Sequence, residues 1–214
     1  MKDYIWGLEA AEEKEISPPL TIFDALTEKA APPNEDNNIV EFVNNRVYFY
    51  SAVTRRKILT LNKAIYGLNS SYLVRAQIYG NEPAPIKIHI NSYGGSVFAA
   101  LSAVDYIKNS KIPVESIIDG CAASAATLLS VVADHRSMHR NSCMLVHQLS
   151  GHMWGKFQEM QDDMQNSEML MKKIKDIYKQ HTRIPEDVLE EILKHDLWWD
   201  AETCLKYGLV DEII

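Results

Sequence analysis

Val114 to Leu129 reads VESIIDGCAASAATLL, and this stretch decides the fold. The apolar, β-branched run Val114–Ile118 predicts a buried strand. Gly120 breaks it, and the small residues Cys121, Ala122 and Ala123 allow a tight turn with other backbone close by. Ser124 follows, and Ala125–Ala133 is apolar and helix-forming. A serine at such a strand-to-helix elbow meets the unpaired N–H groups and the positive dipole end of a helix, which favour a developing anion. That is what a serine nucleophile needs. An ordinary N-cap serine is the competing reading, since serine is favoured there in any protein.

Working outward, Ile86–Ile90 (IKIHI) alternates and predicts a strand, with Lys87 and His89 on the face opposite the isoleucines. NSYGGS (91–96) leads into a helix with Val97, Ala100, Leu101, Val104 and Ile107 on one face. Further upstream, Arg46–Tyr50 is a strand candidate. Thr54 caps a helix expected through Leu68, and Ser70–Pro85 reads as irregular. Downstream, Ser142–Val146 is another strand with His147 at its end. A long helix is expected from Trp154 to His181, with Phe157, Met160, Met164, Met171, Ile174 and Tyr178 at three- and four-residue steps. Pro185 suits the first turn of the next helix, and Asp200 caps a short one ending at Gly208. Strands alternating with helices predict an α/β domain with parallel strands.

The chain has 214 residues, 46% hydrophobic and 24% charged, so one main domain of ordinary globular composition is expected. Residues 1–38 carry nine acidic and three basic residues, most of the net charge of −7. They read as an acidic, flexible N-terminal arm before a domain spanning 39–214. Its apolar patches Tyr4-Ile5-Trp6 and Leu20–Phe23 leave a gate, a pro-segment or a partner-binding arm as the sharper alternatives. No apolar run is long enough for a membrane span, and no signal peptide is evident, so a cytoplasmic location is expected. No basic patch with interleaved aromatics is present, which argues against nucleic acid. The three cysteines, Cys121, Cys143 and Cys204, are far apart in sequence and argue against a disulfide framework or a cysteine-rich zinc site. His135 and His139 have i, i+4 spacing but lie in a polar turn with no acidic or cysteine cluster nearby, so no metal is expected there.

The candidate chemistry gathers at turns. Gly94-Gly95 lies between a strand and a helix but lacks a phosphate-loop lysine. The Gly95 N–H is therefore read as an oxyanion donor beside the Ala125 N–H, with a plain tight turn as the alternative. His147 at a strand end is a candidate general base. Asp196, among Leu193, Leu197 and Trp198, is a candidate for a semi-buried carboxylate orienting that imidazole. A structural histidine and a helix-terminus aspartate are the respective alternatives.

Taken together, INSYGGSV, GCAASAA, MLVHQ and HDLWWDAETCLKYGLVDEI, in this order and at these separations, resemble the Clp protease proteolytic subunit over about Arg46 to Ile214. The resemblance implies a crotonase-like α/β spiral of repeated strand-helix units with a protruding handle helix. It implies Ser124 as nucleophile, His147 as general base, Asp196 as third triad member, and Gly95 and Ala125 as oxyanion-hole donors. No cofactor or metal is implied. The implied partners are a peptide or unfolded-protein substrate, further copies in two stacked heptameric rings (a tetradecamer) and an AAA+ unfoldase. The departures fall on assembly and docking: Lys87 and His89 replace tyrosines of the unfoldase pocket, Leu149 a proline after the His-Gln pair, Lys194-His195 an Asp-Arg pair, and Tyr93 a proline. They keep two other readings open, a virus-type processing protease acting without an unfoldase and a non-catalytic ring subunit. A crotonase-type acyl-CoA enzyme is a further alternative, against which the Ser-His-Asp set argues.

Overall fold

The computed structural model describes residues 39–80, 82–151 and 154–214. The expected acidic arm, residues 1–38, lies outside the described residues. The chain begins with an antiparallel hairpin, β1 (Ile39–Val43) and β2 (Arg46–Tyr50), turned at Asn44 with φ 57°. Asparagine tolerates that left-handed conformation. Thr54 caps α1 (Arg55–Tyr79), its side chain accepting from the Lys57 N–H.

From there strands and helices alternate. β3 (Ile86–Ser92) is followed by α2 (Val97–Lys108), and β4 (Val114–Ala123) by α3 (Ala125–Val131). Then come β5 (His135–Met138), β6 (Cys143–Leu145), α4 (Phe157–His181) and α5 (Glu186–Ile192). β7 (Trp198–Trp199), α6 (Ala201–Lys206) and β8 (Glu212–Ile213) complete the chain. The main sheet runs β1-β2-β3-β4-β5-β8 and is parallel from β2 onward. β6 leaves this order: it pairs parallel with the far end of β4 and antiparallel with β7.

The core lies between the sheet and the helices. Val47, Phe49, Ile86, Ile88, Ile90 and Ile118 are fully buried, and they cluster with Ile58, Leu61 and Ile65 of α1 and Val97, Ala100 and Ala103 of α2. Each fully buried aliphatic side chain contributes roughly 1.5–3 kcal/mol relative to exposure. α4 joins the core through Leu170, Ile174 and Tyr178, while Phe157 and Met164 stay exposed.

Three expectations change. The first helix continues past Leu68 to Tyr79 and stops at Gly80, a left-handed cap with φ 67°. No glycine or proline interrupts residues 68–79, and the Asn69 side chain is engaged elsewhere. Its amide reaches the Ile65 carbonyl and Ser110 Oγ, and its oxygen accepts the Lys111 and Ile112 N–H groups at 2.8 and 3.0 Å. That side chain therefore ties α1 to the loop that launches β4. Second, Gly120 does not end its strand. With φ 96° it sits at an irregularity, and pairing to β3 resumes at Ser92↔Ala122. Third, the polar turn holding His135 is the start of a strand, and the acids its histidines lack in local sequence arrive from other strands. His135 lies 3.0 Å from Glu212, and His139 lies 3.2 Å from Asp119.

The face carrying Lys87 and His89 is also less open than the alternation implied. Lys87 pairs with Glu115 at 3.0 Å. His89 is only 6% exposed, stacked on Tyr48, with Nδ1 2.8 Å from Asp119 and Nε2 3.2 Å from Arg46. Arginine has no acceptor, so Nε2 must accept and Nδ1 must donate to the carboxylate. Burial alone would raise the Asp119 pKa, but the hydrogen bonds from His89 and Tyr50 outweigh it and hold the carboxyl below its usual range.

Asn69→Ala would leave the Lys111 and Ile112 N–H groups without their acceptor. We expect it to lower unfolding free energy by about 2 kcal/mol, measured by urea denaturation, with Asn69→Asp, which keeps an acceptor oxygen, losing less.

Candidate active site

Ser124 directly follows the last residue of β4. Its backbone has φ 58° and ψ −131°, and its side chain makes no capping bond. The ordinary N-cap reading is thereby excluded, since a capping serine has β-region dihedrals and accepts from the first helical turn. A positive φ on a non-glycine residue costs on the order of 1–3 kcal/mol and persists only where the surroundings enforce it. Here they do. The Ser124 N–H extends the β4–β6 ladder by donating to the Leu145 carbonyl at 2.8 Å, and the Ser124 carbonyl accepts the Thr127 N–H at 3.0 Å.

The glycine turn presses on this elbow. A Cβ on Gly94 would stand 2.7 Å from both the Ala123 carbonyl oxygen and Ser124 Cβ, and 3.0 Å from the Ala125 nitrogen. Glycine is required there by space and by its φ of 96°. Gly95 forms a parallel bridge with Val53, whose N–H donates to Gly94 O and whose carbonyl accepts the Ser96 N–H. In such a bridge the N–H and C=O of Gly95 itself point away from Val53. The Ala125 N–H, in the first turn of α3, has no acceptor within its own helix.

β6 and β7 place the other two residues. β6 pairs parallel with β4, Ala123↔Leu145, so Ser124 and His147 emerge from the same end of neighbouring strands. β6 pairs antiparallel with β7, Leu145↔Trp198. Continuing that register by two residues sets His147 opposite Asp196. His147 Nδ1 lies 2.6 Å from Asp196 Oδ1, and the adjacent Gln148 N–H donates to the Leu193 carbonyl at 2.8 Å. With a carboxylate as acceptor, Nδ1 carries the proton and Nε2 is the basic nitrogen.

Burial lowers the pKa of His147 and outweighs the Asp196 hydrogen bond and charge, which raise it, leaving the group below its ordinary value of 6.5. The imidazole is thus neutral at pH 7. Asp196 is not semi-buried as expected: its side chain is 59% exposed in the single chain, against 11% for His147. The neighbouring Leu197 is also exposed.

The cysteines are closer than their sequence separation implied, since Cys121 and Cys143 are register partners on β4 and β6. Burial pushes the Cys121 thiol up to about 11 and raises that of Cys143 as well. Both are thiols rather than thiolates at neutral pH, which is not the form of a reactive cysteine. Among the described residues no group of three His, Cys, Asp or Glu side chains is arranged to hold a metal ion. No described helix is long and apolar enough to cross a membrane.

The sequence reading did not single out Thr127 and placed Tyr178 only in the apolar stripe of the long helix. Thr127 Oγ1 donates to the Ser124 carbonyl at 2.6 Å and also hydrogen-bonds the Tyr178 hydroxyl. The available signal was a lone threonine in an otherwise apolar run, AATLL.

Comparison with known proteins bears on the family and the fold. The family model described as Clp protease matches residues 43–214. An ATP-dependent Clp protease proteolytic subunit from Deinococcus radiodurans is 28% identical over 170 residues, covering 77% of this chain and 83% of that protein. A solved structure of a ClpP1 mutant from Listeria monocytogenes superposes with a TM-score of 0.69 at 24% identity, covering 80% of this chain and 91% of that one. The α/β architecture is the crotonase-like fold of that structure.

The histidine gives a direct check. In an NMR pH titration, the His147 ring should show a midpoint below 6.5, because burial dominates. Asp196→Asn should move it further down, by removing the groups that oppose burial. Because the folded pKa is depressed, this group stabilises the fold above its unfolded pKa and ceases to as pH falls through the folded value. A midpoint at or above 6.5 would contradict the assignment.

Proposed function

Because the chain belongs to the Clp protease family, we propose that it is a serine-type endopeptidase whose nucleophile is Ser124. The observation that carries this reading is the β4–β6–β7 register, which sets Ser124 and His147 at adjacent strand ends and His147 within 2.6 Å of Asp196.

In this mechanism Ser124 Oγ attacks the substrate carbonyl while His147 Nε2 takes its proton. Asp196 holds the ring and stabilises the imidazolium that forms. Charge develops on the former carbonyl oxygen, where the Gly95 and Ala125 N–H groups donate. His147 then returns the proton to the leaving amine, and the C–N bond breaks to give an acyl-enzyme. A water, deprotonated by His147, cleaves the ester and regenerates Ser124. Proton, nucleophile and anion stabilisation all come from the chain, so no cofactor is invoked.

The substrates of this reading are peptides or unfolded proteins, admitted to a chamber formed by stacked heptameric rings of the chain and fed by an AAA+ unfoldase in the cytoplasm. The exposed Trp154, Phe157 and Met164 on and before α4 support an assembly face, since large apolar side chains so placed favour burial against another copy. A second reading, processing of a specific partner without an unfoldase, is favoured by the polar network of Arg46, His89 and Asp119 across β2, β3 and β4, where the family resemblance implies an apolar docking pocket. Stimulation of peptide or protein cleavage by a Clp-type unfoldase separates the two.

Ser124→Ala should lower kcat for peptide cleavage by at least about 10³-fold, and His147→Ala comparably, in a fluorogenic peptide assay with intact folding checked by circular dichroism. Full activity of Ser124→Ala would overturn the proposal. The acid limb of kcat/KM should follow the depressed pKa of His147, with its midpoint below the ordinary 6.5.

A further inference from the structure

Every residue of α3 is buried, and Thr127 is fully so. Its hydroxyl donates to the Ser124 carbonyl at 2.6 Å, and its N–H donates to the same oxygen at 3.0 Å. A threonine hydroxyl has one proton to give. With that proton on the carbonyl, the bond between Thr127 Oγ1 and the Tyr178 hydroxyl must have tyrosine as donor. Tyr178 projects from α4 and is fully buried. Burial holds its pKa well above the ordinary value, so it remains a donor across the working pH range. A directed chain therefore runs from Tyr178 through Thr127 to the Ser124 carbonyl.

The carbonyl it reaches belongs to a special peptide. Ser124 C=O and Ala125 N–H lie in one rigid plane and point in opposite directions. Fixing the carbonyl fixes the aim of the N–H. The torsion that would turn this plane is ψ of Ser124, a residue already held at φ 58° and ψ −131°. Relief of that strain would swing the peptide and lose the N–H direction. Two donors on one carbonyl, the second backed by a buried phenol, resist the swing.

We propose that Thr127 and Tyr178 are positioning residues that hold the Ser124–Ala125 peptide so that the Ala125 N–H stays aimed at the oxyanion. The proposal rests on the reading of Ser124 as nucleophile. It also links α4, whose outer surface is apolar and exposed at Phe157 and Met164, to the point of charge development. Threonine bonding back to a preceding carbonyl is common in helices, and a merely structural pair would affect stability alone. A positioning pair acts on the tetrahedral state more than on substrate binding.

The test uses the full chain with Thr127→Val, Thr127→Ser, Tyr178→Phe and the Thr127→Val/Tyr178→Phe double variant. Peptide kcat and KM are measured beside Ki for a peptide boronic acid, which forms a tetrahedral serine adduct. Thr127→Val should lower kcat about 10-fold or more, with KM within about two-fold, and raise the boronate Ki in proportion. Thr127→Ser should restore most of the loss. Tyr178→Phe should give a smaller loss of the same kind, about three-fold, and the double variant should be no worse than Thr127→Val. Variants with lowered melting temperature but unchanged kcat and Ki would overturn the proposal. Should Thr127→Val fail to fold, Tyr178→Phe, which removes a single oxygen atom, decides alone by the same kcat and Ki criterion. Absence of any serine adduct in the wild-type chain would instead overturn the reading of Ser124, and this proposal with it.

Discussion

Three residues, Cys143–Leu145, hydrogen-bond to a parallel strand on one side and an antiparallel strand on the other. The geometry of the candidate site depends on that ladder. The parallel side aligns Leu145 with Ala123, so the chain leaves β4 and β6 at the same level and delivers Ser124 and His147 together. The antiparallel side aligns Leu145 with Trp198, so Asp196 arrives opposite His147. A one-residue slip on either side would turn the imidazole to the other face. The Ser124 N–H bond to Leu145 carries the ladder one residue past the strand and into the elbow.

Around that ladder, close packing does what flexible loops could not. The glycine turn approaches so near that Gly94 has no room for a Cβ beside Ala123 and Ser124. The small residues Cys121, Ala122 and Ala123 let this approach happen. The strained backbone of Ser124 is then held by hydrogen bonds on both sides, its N–H donating to Leu145 and its carbonyl accepting from Thr127. The histidine is kept neutral by burial, and its tautomer is fixed by Asp196. The positions of Ser124 and His147 are thus set by the fold itself, and the proposed mechanism needs such preorganisation.

Much of this was legible in the sequence. The alternation of IKIHI, the helical spacing of Val97 to Ile107 and the elbow at Ser124 each rest on local patterns, and local patterns survive folding. Ser124, His147 and Asp196 were named from residue type, position at element ends and family resemblance, but their proximity was not readable. It comes from the register of β6 and β7, and β7 has only two residues, too few for a period. The same limit hid the burial of His89, because period-2 alternation marks a face without saying what Tyr48, Arg46 and Asp119 do to it. The continuation of α1 to Tyr79 was missed because Asn69, Ser70 and Ser71 resemble a loop by composition. Asn69 is instead bound across to Lys111 and Ile112, 42 and 43 residues away in sequence. Thr127 and Tyr178 were invisible as a pair for the same reason.

The central claim is that the fold activates Ser124 through His147. The measurement that addresses it most directly is labelling of the full chain with a serine-reactive phosphonate, followed by peptide mass mapping, in the wild-type and His147→Ala proteins. The account predicts a single adduct on Ser124 in the wild-type chain that is lost without His147. An unlabelled Ser124, or equal labelling with and without His147, would contradict it.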